Sequence, residues 1–346
     1  MVSKRGSKEK RRYEITLVIA TYNRGEQLKK IHRDLSSQTL DNDLFEVIIV
    51  DDGSKTPAAN VLDSLEWPMS FTLIRQENTG AAGARHAGIE KSQGDIIVIT
   101  DDDMEIDPRF LEAHLEAHRH GADVALGRIV QSTLLSKQPL YTRHQQHHFD
   151  KLYKRWITQD ELEGENLYTG NVSFKHSLYD RVGGFDLSLR LSEDRELGAR
   201  FEKAGAKFLF ASDAITINSN DHIDLKGWMA EARRYGALDW QFALNHEEIK
   251  HIDPFYFFFK MKPITRPVLA TILAVPQVAS PLTRALIKIS EMIDRHSLEP
   301  AAMAGATLCY GMQYYLGVRE EAGSLREILR GLRRYAKKKA DAEKSA

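Results

Sequence analysis

Three adjacent carboxylates, Asp101-Asp102-Asp103, directly follow the apolar run from Asp95 to Thr100. Three neighbouring negative charges repel one another, and the cost grows near a low-dielectric sheet edge. A divalent cation offsets that cost, and hard carboxylate oxygens suit Mg2+ or Mn2+. A metal held there would bridge the two phosphates of a nucleotide and neutralise a departing diphosphate. An acidic triplet alone is more often a solvated turn. Here the strand before it and the proline-started helix after it favour a site.

Other residues invite chemistry less strongly. His114 and His118 stand one helical turn apart, and His144, His147 and His148 share one stretch. Both groups contain zinc-ligand types. Neither has a cysteine or a clear fourth ligand nearby, so structural histidines are the expectation, with the second group free to face an acceptor. Gly80 to Gly88 is rich in glycine and alanine but lacks the Lys-Ser/Thr of a nucleotide-binding P-loop, which argues against an ATPase. The bland alternative for Glu193-Asp194 is an ordinary acidic helix start, and a catalytic carboxylate pair is the favoured reading.

The elements that must position these groups are legible as patterns. Residues 15–20, 45–50 and 95–100 are β-branched apolar runs, each stopped by polar residues. Such runs predict strands buried on both faces. Arg24 to Gln38, with Leu28, Ile31 and Leu35 at helical spacing, predicts a helix between the first two. The alternation predicts an α/β fold with a parallel sheet, whose ligands bind beyond the carboxyl ends of the strands. Thr21-Tyr22-Asn23, Asp51-Asp52 and Asp101-Asp103 would all lie on that rim. Asp107 is a plausible N-cap for a helix from Pro108 to about His120, and residues 123–130 predict a further strand. Residues 131–165 show no clean period and predict a long loop with some helix. Asp224 to about Leu244 predicts an amphipathic helix, with Leu225, Trp228, Met229, Ala232 and Tyr235 on one face.

In order along the chain stand Ile19-Ala20-Thr21-Tyr22-Asn23-Arg24, Val50-Asp51-Asp52-Gly53-Ser54, and Asn78-Thr79-Gly80 through Ala84-Arg85-His86-Ala87-Gly88. Gly94-Asp95 then leads into Thr100-Asp101-Asp102-Asp103. Thr169-Gly170-Asn171-Val172-Ser173, Val182-Gly183-Gly184-Phe185-Asp186, and Glu193-Asp194 with Leu197 and Arg200 complete the series. Each motif is weak alone. Together, over about residues 13 to 240, they resemble the inverting family 2 glycosyltransferases. That resemblance implies a GT-A fold, a Rossmann-like, mostly parallel sheet flanked by helices, here with a C-terminal helical extension.

The resemblance also implies roles. Ala20, Tyr22, Asp52, Arg85, Asp101 and Asp102 would line the nucleotide site. Tyr22 and Asp52 would hold the base, typically uracil, Arg85 would lie near base or diphosphate, and Asp101 would bind ribose. Asp103 would bind Mn2+ or Mg2+. Asp194 would be the general base that deprotonates the acceptor hydroxyl, and a carboxylate in reach lets that proton leave as the new bond forms. Glu193 is the alternative base, or an acceptor ligand. The family often places a metal-binding histidine after the last strand, and His222 is the candidate. The implied reaction moves a sugar from a nucleotide-diphosphate donor, a UDP-sugar by family habit, to a glycan or lipid-linked hydroxyl with inversion. The alternatives are an inactive sugar-nucleotide-binding scaffold and a sugar nucleotidyltransferase. The latter should carry a glycine-rich loop with Arg and Lys after the first strand.

Composition sets outer limits. The 346 residues are 42% hydrophobic and 28% charged, with a formal net charge of -1, so no global field draws nucleic acid. The single cysteine, Cys309, excludes an intramolecular disulfide. The expected organisation is a basic tail over 1–12, a catalytic domain over 13–225 and a helical region over 226–346. In the last, Phe255 to Phe259 is aromatic and Pro263, Pro267, Pro276 and Pro281 punctuate an apolar stretch. Residues 301–318 carry no charge but are diluted by Gln313 and three tyrosines, which predicts a core helix rather than a membrane span. A homo-oligomer contact or a peripheral membrane contact would fit the region, and with it a cytoplasmic enzyme at the inner face of the membrane.

Overall fold

The computed structural model describes residues 12–131, 138–158, 162–189, 192–218, 224–245 and 253–345. The predicted basic tail lies almost wholly outside them. The chain forms two compact units, one of Met1–Ser132 with Lys151–Ser219, the other of Thr133–Asp150 with Asn220–Ala346.

The first unit is built on an eight-stranded sheet. Its strands are β1 (Tyr13–Thr21), β2 (Phe45–Asp51), β3 (Ser70–Arg75), β4 (Gly94–Thr100), β5 (Met104–Ile106), β6 (Val124–Gln131), β7 (Asn171–Lys175) and β8 (Phe208–Asn218). Their spatial order is β3-β2-β1-β4-β7-β6-β8-β5. β3, β2, β1 and β4 run parallel, with Val18 opposite both Ile48 and Ile99. β7 is antiparallel to β4 and β6, so the sheet is mixed. The three predicted apolar runs are β1, β2 and β4, and β2 is buried along its whole length. Helices on both faces exclude water, which lets consecutive apolar residues all be buried.

The helices of this unit are α1 (Leu28–Ser36), α2 (Ala59–Leu62), α3 (Ala81–Lys91) and α4 (Phe110–Arg119), then α6 (His176–Val182) and α7 (Glu193–Lys203). Leu28, Ile31 and Leu35 of α1 are fully buried against the sheet. α4 starts two residues later than the Pro108 signal predicts, although the Asp107 carboxylate does accept from Arg109 N–H at 2.9 Å.

Residues 131–165, predicted as mostly loop, contain helix α5 (Leu140–Ile157). Its polar and aromatic face hides the apolar period. Buried Tyr153 and Trp156 supply contacts in the first unit, while His144 packs against Trp228 and Tyr310 in the second.

The second unit is helical: α8 (Leu225–Asn245), α9 (Pro254–Lys260), α10 (Arg266–Ala274), α11 (Ala279–Arg295), α12 (Glu299–Glu321) and α13 (Leu325–Ser345). Asp224 caps α8 by accepting from Gly227 N–H at 2.6 Å. Trp228, Met229 and Ala232 of the predicted face are buried. α8 and α12 cross with backbones almost touching. A Cβ on Gly236 would lie 1.9 Å from the Tyr314 carbonyl oxygen, and one on Gly317 would lie 1.8 Å from that of Arg233. The uncharged stretch 301–318 is the centre of α12, and its Ala302, Ala306, Cys309 and Met312 are core. Among the described residues no single helix is long and apolar enough to cross a membrane.

Candidate active site

The carboxyl ends of β1, β2 and β4 bring the polar motifs onto one rim of the first unit. Asp51 and Asp52 end β2 but divide their work. Asp51 is buried and accepts from Ser54 N–H, Ala58 N–H and Arg75 Nη1, each at 2.9 Å. Burial alone would raise its pKa, but these donors outweigh burial and hold it below the usual carboxylate value. It is a structural residue that fixes the turn after β2.

Asp52, 4% exposed, organises the loop leading into α3. Oδ1 accepts from Gln76 Nε2 at 2.8 Å and Thr79 N–H at 2.9 Å, and Oδ2 accepts from Gly80 N–H at 2.9 Å. Gly80 takes φ 87°, a left-handed conformation that costs glycine little. Tyr22, by contrast, is 47% exposed at the end of β1, its ring open to a planar ligand. Ala20 packs on Ile48, Val50 and Ala84.

The three acidic residues after β4 do not share one environment. Asp102 is buried. It accepts from Thr21 Oγ at 2.7 Å and from Arg24 Nη1 at 3.1 Å. Its pKa is raised, chiefly by burial. Asp103 accepts from the same Arg24 nitrogen at 2.5 Å. Asp101 accepts from Arg85 Nη2 at 2.7 Å, and Arg85 Nη1 donates to Glu193 at 2.9 Å. Two arginines thus pair with the triplet, one following β1 and one from α3, and leave it with excess negative charge. Burial would lower the pKa of Arg85, but Asp101 and Glu193 outweigh it and leave the guanidinium firmly charged. Its Nε is buried and makes no hydrogen bond.

Glu193 and Asp194 open α7, as the sequence predicts, with Glu196 in the same first turn. Negative charge there meets the positive end of the helix dipole. Ser192 just before them holds φ 60°, rare for a residue with a side chain. α7 is anchored from behind. A Cβ on Gly198 would lie 2.1 Å from the Gly164 carbonyl oxygen, so only glycine permits that approach. Arg200 pairs with Glu196 and donates to the Val182 carbonyl at 2.8 Å, tying α7 to α6. Asp194 is partly covered, and Arg195 N–H donates to it at 2.7 Å. Burial first, then the charge of Glu193, push its pKa up to about 6. That value suits a group that must be ionised yet take a proton near neutrality.

Ala20, Tyr22, Asp52, Arg85, Asp101, Asp102, Asp103, Glu193 and Asp194 all belong to this one unit, and Arg85 joins the Asp101 and Glu193 ends of the set. His222 lies outside the described residues. Among the described residues no three His, Cys, Asp or Glu side chains converge into a ligand set by themselves. The carboxylates after β4 still offer the hard oxygens that Mg2+ and Mn2+ prefer, and such ions are usually held by one or two carboxylates together with substrate phosphates.

Thr21 and Arg24 join the candidate site through their hydrogen bonds to Asp102 and Asp103. Their signal in the sequence is their place at and just after the end of β1, on the rim that also carries the acidic triplet. His114 and His118 are core residues. His114 bonds Asn171 at 3.0 Å and Ser173 at 2.8 Å, and His118 bonds Ser173 at 2.8 Å and the Ala122 carbonyl at 3.0 Å.

Residues 16–182 match the family model described as glycosyl transferase family 2. The chain is similar to the glucosyl-dolichyl phosphate glucuronosyltransferase of Haloferax volcanii, 24% identical over 213 residues, covering 58% of this chain and 67% of that protein. It is also similar to the dolichol-phosphate mannosyltransferase of Pyrococcus furiosus, 26% identical over 132 residues, covering 38% of this chain and only 37% of that protein. Among solved structures it resembles the mannosyltransferase PcManGT of Pyrobaculum calidifontis in complex with GDP-Man and Mn2+. The TM-score is 0.57 at 18% identity, over 86% of this chain and 87% of that one. At that identity the likeness establishes the fold, a GT-A fold, and nothing finer.

Proposed function

Over residues 16–182 the chain belongs to the family 2 glycosyltransferases, and on that premise we propose that it moves a sugar from a nucleotide-diphosphate donor to an acceptor hydroxyl with inversion. The observation that carries the reading is Arg85, which bridges Asp101 on the donor rim and Glu193 beside the proposed base. One side chain thereby spans the two halves of a displacement site.

The donor is a UDP-sugar on this reading. Tyr22 offers its exposed ring to the base, Asp52 holds the loop 76–80 beside it, and Asp101 accepts from ribose. Arg24 and Arg85 supply fixed positive charge to the diphosphate. A Mn2+ or Mg2+ ion held by Asp103 supplies, when bound, further charge to the leaving group; His222 is the second proposed ligand. Asp194 accepts the proton of the attacking hydroxyl, and attack from the face opposite the diphosphate inverts the anomeric centre. Glu193, held by Arg85, keeps a negative charge next to Asp194 and so keeps its basicity high. The acceptor is a glycan or a lipid-linked sugar. The relatives named for dolichyl phosphate substrates favour the lipid-linked member of that pair.

The test is donor hydrolysis over a panel of UDP- and GDP-sugars, with Mn2+, Mg2+ or chelator, on the wild type and Asp103→Ala. Metal-dependent release from one donor, lost in the variant, supports the reading. Release that ignores both metal and Asp103 removes the metal role, and no nucleotide binding under any condition removes the function. A product of retained configuration by NMR excludes direct displacement.

A further inference from the structure

Charge is unevenly divided along this chain. Residues 253–345 hold 15 Lys and Arg against 9 Asp and Glu, a net of +6, in a protein whose formal net charge is -1. Within that basic stretch α11 shows three distinct faces. Ala279, Thr283, Ile287 and Ser290 are buried in the core of the helical unit. Val278, at the N-cap of α11, and Leu282, Ile289 and Met292 within it are 36%, 42%, 48% and 56% exposed. They recur, with exposed Ala285 among them, at alternating spacings of four and three, which is one continuous helical stripe. Arg284, Lys288 and Arg295 are exposed along one flank of it, and none is held in an ion pair among the described residues. The half-buried Glu291 is the acid on that flank, while Asp294 is engaged by Arg143.

We propose that this outer face of α11 docks on an anionic lipid surface, its apolar stripe entering the headgroup boundary and its basic flank meeting lipid phosphates. An interfacial helix pairs a polar, cationic edge with an apolar stripe and lies in the membrane plane. Lys and Arg close to an anionic leaflet are drawn to it within a Debye length of the surface. α11 cannot cross a bilayer here, because its opposite face is committed to the protein core. The helical pieces 263–274 and 276–295 together have the length and apolarity of a span, but they bend by 113° at the break. A second copy of the chain fits less well. The four exposed side chains offer only a few hundred Å2, short of the ~800 Å2 each partner gives to a standard interface. The flanking cations would moreover face each other across a symmetric pairing. The inference stands apart from the transferase reading and does not need it.

The experiment is flotation of the full-length protein with vesicles of pure phosphatidylcholine and with vesicles containing about one third phosphatidylglycerol, a charge density high enough to recruit basic surfaces. The wild type should partition onto the anionic vesicles and release as salt rises. Ile289→Glu with Met292→Glu should weaken binding at least tenfold, and Arg284→Gln with Lys288→Gln several-fold. All four positions are exposed, so circular dichroism melts should match the wild type and exclude misfolding. No binding to either vesicle overturns the proposal. So does binding that persists in the Ile289→Glu, Met292→Glu protein, which would move the contact to another surface such as the basic N-terminal arm. Sedimentation velocity supplies the last alternative: a wild-type dimer that those two substitutions convert to monomer, without vesicle binding, assigns the stripe to self-association.

Discussion

Arg85 and Glu193 are 108 positions apart in the chain and meet at 2.9 Å, both almost fully buried. The same guanidinium reaches Asp101 at 2.7 Å with its other nitrogen. A planar fork can serve two carboxylates at once, and a lysine ammonium on a flexible stem serves them poorly. Removing the fork leaves Glu193 charged and unpaired in the interior. Arg85→Met is therefore expected to destabilise the protein by about 3 kcal/mol, in the range for breaking a buried pair, with Arg85→Lys intermediate. Urea denaturation at pH 7 measures both. A cost within experimental error for Arg85→Met would mean that the bridge contributes nothing to the fold.

Asp194 links catalysis and stability through one proton. Its pKa is raised to about 6, by burial and then by Glu193. If it is the base, kcat/KM falls on the acid side with a midpoint near that value. Glu193→Gln removes the neighbouring charge and should move the midpoint lower. The stability sign is opposite to that of an ordinary paired carboxylate. A raised pKa favours the folded state fully below the unfolded value and loses that advantage as pH rises through about 6. Asp194→Asn should thus be inactive yet more stable than wild type at pH 8, by on the order of 2 kcal/mol, with no gain at pH 4. Melting curves across that range decide it.

Asp52 gathers four donors from the loop before α3, and two of them are the backbone N–H groups of Thr79 and Gly80. Asp52→Ala strands those donors and loosens the loop beside Tyr22. The expected result is a donor KM raised by roughly tenfold, equivalent to one lost hydrogen bond of about 1.4 kcal/mol, with a smaller change in kcat. Hydrogen exchange should speed up over residues 76–84. Unchanged exchange there would return Asp52 to a purely ligand-facing role.

The strands that place this site were legible because β1, β2 and β4 are buried on both faces and so are written as unbroken apolar runs. The rim position of Asp101 to Asp103 followed from them. The carboxylates' partners did not follow. Arg24 and Arg85 reach Asp102 and Asp101 from other elements, and sequence spacing holds no record of a salt bridge across a sheet edge. The loop amides that Asp52 binds carry no side-chain signature at all. Helix α5 escaped for a different reason: its aromatic and histidine contacts do the packing that leucine or isoleucine at helical spacing would otherwise announce.

His114 and His118 predict acid sensitivity away from the site. Burial, opposed weakly by hydrogen bonds, drops their pKa values to about 3 and about 4. Both stay neutral in the folded protein while both take protons in the unfolded chain near pH 6.5. Stability present above pH 6.5 should fall as pH drops toward 4, with up to two protons taken up on unfolding. Denaturation midpoints at pH 7.5, 5.5 and 4.5 give that slope, and a flat profile would place the histidines in contact with water.

Gly236 and Gly317 let α8 and α12 touch backbone to backbone, each lying under a carbonyl of the other helix. Alanine is the better helix former by about 1 kcal/mol, so propensity alone predicts that Gly317→Ala stabilises. Packing predicts the reverse. The new methyl would sit 1.8 Å from the Arg233 carbonyl oxygen, and a carbonyl inside a helix cannot swing aside as a side chain can. The helices must separate instead, disturbing Trp228, Met312 and the rest of that core. Overpacking of this kind costs typically 1–3 kcal/mol, and a backbone clash belongs at or beyond the upper end, so the net expectation is destabilisation by about 2 kcal/mol. Gly236→Ala should cost as much. The double variant should cost less than the two together, because one separation relieves both clashes. Strict additivity in thermal or urea unfolding would show that the two contacts yield independently.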